Sequence, residues 1–248
     1  MGSLEGRVAL ITGASAGIGM AIARRFIVEG ADVALVARRT DRLAELSGDA
    51  TAHGRRSLRI VGDVREEETA RHGVEQTVAE LGGLDILVNN AGVGIYGDLV
   101  NTSAADYDAM MDTNMRSTFL FTRYAVPIML ARGAGSIINI ASMAGVMGFA
   151  GEAVYCASKF AQVGFTQALD RELRPKGIKV GAICPGGVKT EFAIGQGRTE
   201  AGVAASGMLE ADDVAAAVLL MATQPAGSRI MEIRMRPMVE PLAGRDPE

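Results

Sequence analysis

Seven short runs rich in β-branched residues, at 8–12, 33–37, 58–61, 86–89, 136–140, 180–184 and 230–233, alternate with longer stretches of helical period. No other feature restricts the fold as tightly. Strict β-α-β alternation implies right-handed crossovers and one doubly wound, mostly parallel sheet of about seven strands, flanked by helices on both faces, the Rossmann type of the α/β class. Helices are expected at 17–29, 41–53, 66–81, 104–132, 152–175 and 211–222. A sheet buried on both faces needs small and branched apolar side chains. The composition supplies them, with 48% hydrophobic residues and no tryptophan.

Several helix ends carry their own punctuation. Ser103, three residues before Asp106, reads as a capping box, and Arg174 and Lys176 before Gly177 close a helix with positive charge and a glycine cap. Pro127 predicts a kink or an early end within 104–132. Acidic residues outnumber basic ones, 29 to 25, so neither nucleic acid nor an anionic membrane is an expected partner. The longest apolar stretch, 215–222, is too short to cross a bilayer, and the opening residues lack the basic and apolar regions of an export signal. Cys156 and Cys184 form no disulfide framework and no metal-binding spacing, which fits a reducing cytoplasm and no metal.

The first strand runs through Thr12 into Gly13, Ser15, Ala16, Gly17, Ile18 and Gly19, and then into a helix. Glycines let the backbone turn sharply and approach a ligand, while the N–H groups and dipole at the helix start receive an anion such as pyrophosphate. An ordinary strand-to-helix turn is the competing reading. At the end of the second strand, where an acid would select NAD, stand Ala37, Arg38 and Arg39. Guanidinium groups there suit a 2′-phosphate and hence NADP; the alternative is two solvated charges opening the next helix.

Four further segments are Asn89 to Gly92 after the fourth strand, Asn114 within a helix, Ser142 after the fifth strand, and Tyr155 to Lys159. With the glycine loop, and with Pro185, Gly186, Gly187, Val188 and Thr190 after the sixth strand, the chain resembles the short-chain dehydrogenase/reductase family over nearly its whole length. Residues 155 and 159 share one helix face, so the Lys159 ammonium is expected to lower the Tyr155 phenol from its usual value near about 10. Tyr155 then serves as general acid/base for hydride transfer between the nicotinamide and a small carbonyl/alcohol substrate, with Ser142 holding the substrate oxygen. The resemblance further implies that Lys159 bonds the nicotinamide ribose and that Asn114 holds a water for proton exchange. It places Asn89, Ala91 and Gly92 along the adenosine side, Asp63 and Val64 at the adenine, and Gly187, Val188 and Thr190 at the nicotinamide side. One domain over 1–248 is expected, with a cofactor half to about 142, a catalytic and substrate half over 143–236, and a tail over 237–248.

The substrate pocket should draw on Ile95, Tyr96, Ser142, Met143, Met147, Phe149, Phe192 and Met208. Glycines between 192 and 208 suggest a lid, or else a plain surface loop, and Lys189 and Arg198 could meet an acidic group on the substrate. Residues 230–237 are similar to the closing strand of the subgroup of bacterial NADP-dependent 3-hydroxy acid dehydrogenases and clavulanic acid dehydrogenase. The family resemblance implies a homotetramer, for which Phe119, Leu120, Phe165 and Leu169 are candidate contacts. An NADP-binding redox sensor without turnover is the competing function, and the complete Ser142, Tyr155 and Lys159 set argues against it.

Overall fold

Strand β1 (Val8–Thr12) is buried along its whole length, because Val, Ala, Leu and Ile point to both of its faces. Such a strand is stable only between two layers of helix. The computed structural model describes residues 2–238. In it α1 (Gly17–Val28) connects β1 to β2 (Asp32–Ala37), and α2 (Thr40–Ala52) leads to β3 (Ser57–Val61). Next come α3 (Glu67–Leu81), β4 (Ile86–Asn89) and α4 (Ala104–Met111). A π-helical turn, Asp112–Arg116, joins α4 to α5 (Ser117–Arg132). The chain continues through β5 (Gly135–Ile140), α6 (Ala153–Leu173), β6 (Ile178–Pro185), α7 (Glu200–Ala205), α8 (Ala211–Ala222) and β7 (Glu232–Met235).

The seven strands form one parallel sheet in the order β3-β2-β1-β4-β5-β6-β7. Ile22, Phe26, Leu43, Val214 and Val218 bring α1, α2 and α8 onto one face, and Val74, Phe121, Ala125 and Met129 bring α3 and α5 onto the other. Sheet order reverses direction between β1 and β4. The crevice beyond their carboxyl ends is therefore the expected ligand site of such a fold. At the opposite end, buried Asp85 accepts the Val8 N–H at 2.9 Å and pairs with Arg7 at 3.2 Å and Arg132 at 2.9 Å, tying β1, the start of β4 and the end of α5 together.

The Ser103 and Asp106 capping box forms as expected, and Gly177 ends its turn at φ +81°. Pro127 does not end its helix: α5 runs through it to Arg132, held by Ala125 and Met129 in the core, and the irregularity falls instead at the π-helical turn. The last strand lies two residues later than 230–233, because Glu232 to Met235 are the residues in register with Ala182 to Pro185 of β6. Helix α7 occupies part of the segment expected to be a loop, started by Thr199, whose hydroxyl accepts the Gly202 N–H at 3.1 Å. Of the expected tail over 237–248, residues 239–248 lie outside the described residues. No described helix is long and apolar enough to cross a membrane.

Candidate active site

Two loops meet at the β1/β4 crevice and are stitched together by side chains. The Thr12 hydroxyl accepts the N–H groups of Asn90 at 3.0 Å and Ala91 at 3.1 Å, while the Asn90 amide donates to the carbonyls of Thr12 and Gly13. Gly13 and Gly17 both have positive φ, at +66° and +51°. A Cβ on Gly13 would lie 2.8 Å from the Ala91 Cα, and one on Gly17 would lie 2.9 Å from the Thr190 side chain. Only glycine fits this turn. Helix α1 then starts behind Ala16 without a side-chain cap, leaving its first-turn N–H groups to an anion. The loop opens into a cleft of about 830 Å³ that runs from Ser15, Ala16 and Ile18 to Ser142, Tyr155 and Lys159. These features fit a dinucleotide.

At the adenosine end, Ala37 leaves room, and Arg38, Arg39, Asp63, Val64, Ala91 and Gly92 all line the cleft. Arg38 is exposed and makes no hydrogen bond or ion pair among the described residues. Arg39 is not simply solvated: its guanidinium donates to the Ser15 hydroxyl at 3.2 Å and the Ser15 carbonyl at 3.1 Å, and pairs with Glu191 at 2.8 Å. The Asp63 carboxyl is held below its usual range by hydrogen bonds from Arg65. Two expected contacts stand elsewhere. Asn89 is buried inside the sheet, where its amide donates to Thr122 and Asn139, and its neighbour Asn90 faces the cleft instead. Gly19 sits beneath the loop, with the Gly13 carbonyl 2.3 Å from where its Cβ would be.

Helix α6 presents Tyr155 and Lys159 to the same cleft, with the Lys159 Nζ 5.9 Å from the centre of the Tyr155 ring. The ammonium does not rest on the phenol. It donates to the Ile140 carbonyl at 3.0 Å and to the Gln162 amide oxygen at 2.8 Å. Burial therefore outweighs the expected charge effect: it pushes the Tyr155 phenol up, against a small downward pull from the Ser142 hydroxyl, and brings Lys159 down to about 7. A phenol kept neutral in this way is suited to donate a proton. Ser142 caps the turn after β5, its hydroxyl accepting the Ala144 N–H at 3.1 Å.

Asn114 lies in the π-helical turn, fully buried and outside the cleft lining. Its amide accepts the Val93 N–H at 2.8 Å and donates to the Val93 carbonyl and the Ser158 hydroxyl, both at 2.9 Å. The Ser158 hydroxyl in turn donates to the Tyr155 carbonyl at 2.7 Å. Gln162 completes the arrangement by donating to the Thr118 hydroxyl at 2.7 Å, which donates to the Asn114 carbonyl at 2.8 Å. Gln162, Ser158 and Thr118 were not legible as site residues, although a glutamine one turn after Lys159 on the same helix face was a usable signal.

On the substrate side Ile95, Tyr96, Met143, Phe149, Phe192 and Met208 line the cleft, together with Pro185, Gly186, Gly187, Val188 and Thr190. Tyr96 meets Tyr155 edge-on at 5.6 Å, and Phe192 lies 5.9 Å from Tyr155. Met147 is 41% exposed and does not line the cleft. Lys189 also lies outside it, paired with Glu210 at 2.6 Å. Arg198 reaches in, its guanidinium 5.8 Å from the Tyr96 and Phe192 ring centres. Sequence reasoning missed Glu152, Glu191 and Arg236, charged residues that also line the cleft.

A parallel doubly wound sheet, an uncapped glycine turn at its switch point, and a Tyr and Lys pair facing the same cleft define a dinucleotide-dependent oxidoreductase. The short chain dehydrogenase family model matches residues 7–201. An uncharacterized oxidoreductase of Staphylococcus aureus is 34% identical over 95% of this chain and 99% of its own length. Ketoacyl reductase HetN of Nostoc sp. is 38% identical over 75% of this chain, a match that spans 65% of that relative. Among solved structures, the closed form of serine dehydrogenase complexed with NADP+ superposes with a TM-score of 0.89 at 34% identity, covering 97% of this chain and 99% of that one. A short chain dehydrogenase from Mycobacterium paratuberculosis bound to NAD gives 0.87 at 31% identity, covering 94% and 97%. The chain belongs to the short-chain dehydrogenase/reductase family, and is an oxidoreductase acting on CH–OH and carbonyl groups.

Proposed function

We propose that the protein is an NADP(H)-dependent reductase or dehydrogenase of a small carbonyl/alcohol pair, with Tyr155 as its general acid/base. The observation that carries this reading is the shared cleft, in which the Tyr155 and Lys159 side chains face the same space as the glycine loop. Bound NADPH supplies the hydride, and NADP+ accepts it in the reverse direction. In reduction the neutral Tyr155 hydroxyl gives its proton to the substrate oxygen as negative charge develops there, and the Ser142 hydroxyl donates a hydrogen bond to that oxygen. Lys159, anchored by Ile140 and Gln162, is placed to bind the nicotinamide ribose and to restore the proton to Tyr155. Asn114 acts through position: it fixes the Val93 backbone and, through Ser158, the start of α6.

NADP is favoured over NAD because Ala37 leaves space at the end of β2 and Arg38 and Arg39 stand beside it with fixed positive charge. The redox-sensor alternative gives no use for a neutral phenol facing a cleft walled by Tyr96, Phe149 and Phe192. A hydroxy acid, or an aldehyde of an antibiotic pathway, is the substrate suggested by the closing segment, with Arg198 meeting an acidic group. The two buried thiols agree with a cytoplasmic location. A panel of carbonyl compounds assayed by cofactor oxidation, first with NADPH and then with NADH, tests the reading. Turnover at least tenfold more efficient with NADPH is expected, on the order of 1.4 kcal/mol of discrimination. Equal efficiency with the two cofactors contradicts the NADP assignment.

A further inference from the structure

Glu152 stands immediately before α6, three residues ahead of Tyr155, and lines the substrate side of the cleft. Its carboxylate is half-buried, yet among the described residues it caps no helix N–H and enters no hydrogen bond or ion pair. Burial raises its pKa, and the field of Arg198 opposes that rise. Arg198 does not pair with it: that guanidinium lies over the rings of Tyr96 and Phe192. A carboxylate withdrawn from water without a partner is destabilising unless a ligand supplies one. Aromatic rings, Tyr96, Phe149, Tyr155 and Phe192, form much of the wall here, and of these only the Tyr96 and Tyr155 hydroxyls could donate to the carboxylate.

We propose that Glu152 is a specificity-determining residue that selects substrates carrying a protonated amine beside the reacting carbinol or carbonyl carbon. The inference rests on the oxidoreductase reading above and adds the chemical class of its substrate. Glu152 lines the same cleft as Tyr155 and its charge acts on that phenol, so a group bonded to its carboxylate is held in the space that Tyr155 faces. In the oxidising direction the carbinol C–H bond breaks with its electron pair passing to NADP+, the C=O bond forms, and the O–H proton passes to the Tyr155 oxygen as the phenol's own proton leaves through Lys159. The amine is unchanged and is held by Glu152 throughout. An ammonium bonded to a carboxylate in this partly dry setting forms a charge-assisted hydrogen bond, stronger than one between neutral groups. A substrate lacking the amine leaves the carboxylate without a partner.

The test uses two pairs of alcohols that differ in the amine: 1-amino-2-propanol against 2-butanol, and threonine against 3-hydroxybutyrate. Each is oxidised with NADP+ at neutral pH, where the amine is protonated, by the wild type and by Glu152→Gln. The proposal expects the amine to raise kcat/KM by about tenfold or more in both pairs with the wild type. In Glu152→Gln that advantage falls to about one in both pairs, the ratio within each pair being the readout. An amine advantage that survives in Glu152→Gln, or is absent in the wild type, overturns the proposal. If Glu152→Gln does not fold, Glu152→Ala answers the same ratio. If the wild type turns over none of the four, thermal protection of the NADP+-loaded protein by each compound gives the same comparison. Failure to oxidise or reduce any alcohol or carbonyl, charged or neutral, counts against the oxidoreductase reading, which separates the two failures.

Discussion

Tyr155 and Lys159 are both buried, and the consequences for the two side chains run in opposite directions. Desolvation disfavours the charged form of each, so the phenol is held neutral and the amine is brought down to about 7. For Lys159 this has a consequence for stability. The unfolded chain keeps a lysine near about 10.4, so between about pH 7 and pH 10 it binds more protons than the folded chain, and stability rises with pH through that window. Below about pH 7 the amine is protonated in both states and the burial penalty is constant. Lys159→Met removes this dependence. Urea unfolding at several pH values should show the wild type gaining on the variant by on the order of 1 kcal/mol per pH unit above pH 7. Parallel profiles for the two proteins would show that Lys159 is not held in a shifted state.

At the scale of the element, the π-helical turn and the first half of α6 act as one unit. The turn places Asn114 against the Val93 backbone, and the Thr118 hydroxyl that follows it holds the Asn114 carbonyl. Gln162 bridges that unit to Lys159. Gln162→Leu leaves the ammonium with the Ile140 carbonyl alone and strips the Thr118 hydroxyl of its donor. The expected result is a loss of about 1–3 kcal/mol in stability and a fall in kcat of roughly tenfold. Gln162→Glu restores the acceptor and adds a negative charge, so the Lys159 pKa should move up from about 7 and the pH–rate profile with it. An unchanged profile in Gln162→Glu would mean that residue 162 does not govern the lysine. Tyr155, Lys159, Ser142 and the glycine turn were legible in the sequence because each belongs to a local spacing on one strand end or helix face. The network behind them was not, since Asn114, Thr118 and Gln162 meet only when α6 packs against the turn. Asn89 and Asn90 show the same limit: Asn89 closes β4 and turns into the sheet, Asn90 opens the loop that follows, and the sequence did not say which faced the cleft.

Across the whole molecule, the parallel, doubly wound sheet of seven strands was readable from the β-α alternation, and α8 lies at 211–222 as the periodicity predicts. The departures come from contacts distant in sequence, such as the register with β6 that sets β7 and the core packing that carries α5 through Pro127. Asp85 is another long-range device. Asp85→Ala would leave the buried Val8 N–H without an acceptor and Arg7 and Arg132 without a counter-ion. A loss of about 2–3 kcal/mol is expected by urea unfolding, with kcat unchanged, because the residue lies at the end of the sheet away from the cleft. A loss under about 0.5 kcal/mol would show that water replaces these contacts. The proposed homotetramer also belongs to this scale. Of the residues first considered for it, Leu120 is core at 2% exposure, whereas Phe119 on α5 is 42% exposed; Phe160 on α6, not among them, is 47% exposed. Light scattering at micromolar concentration should give a tetramer mass, and a monomer mass would defeat the proposal.

The phenol of Tyr155 is the group on which the catalytic account turns, and removing its oxygen alone tests it most directly. Tyr155→Phe keeps the ring against Tyr96 and Phe192, so NADPH binding, followed by cofactor fluorescence, should stay within a few-fold of the wild type. With a carbonyl substrate reduced by the wild type, kcat should fall by roughly 10²- to 10⁴-fold in the variant. Near wild-type turnover in the variant would contradict the mechanism.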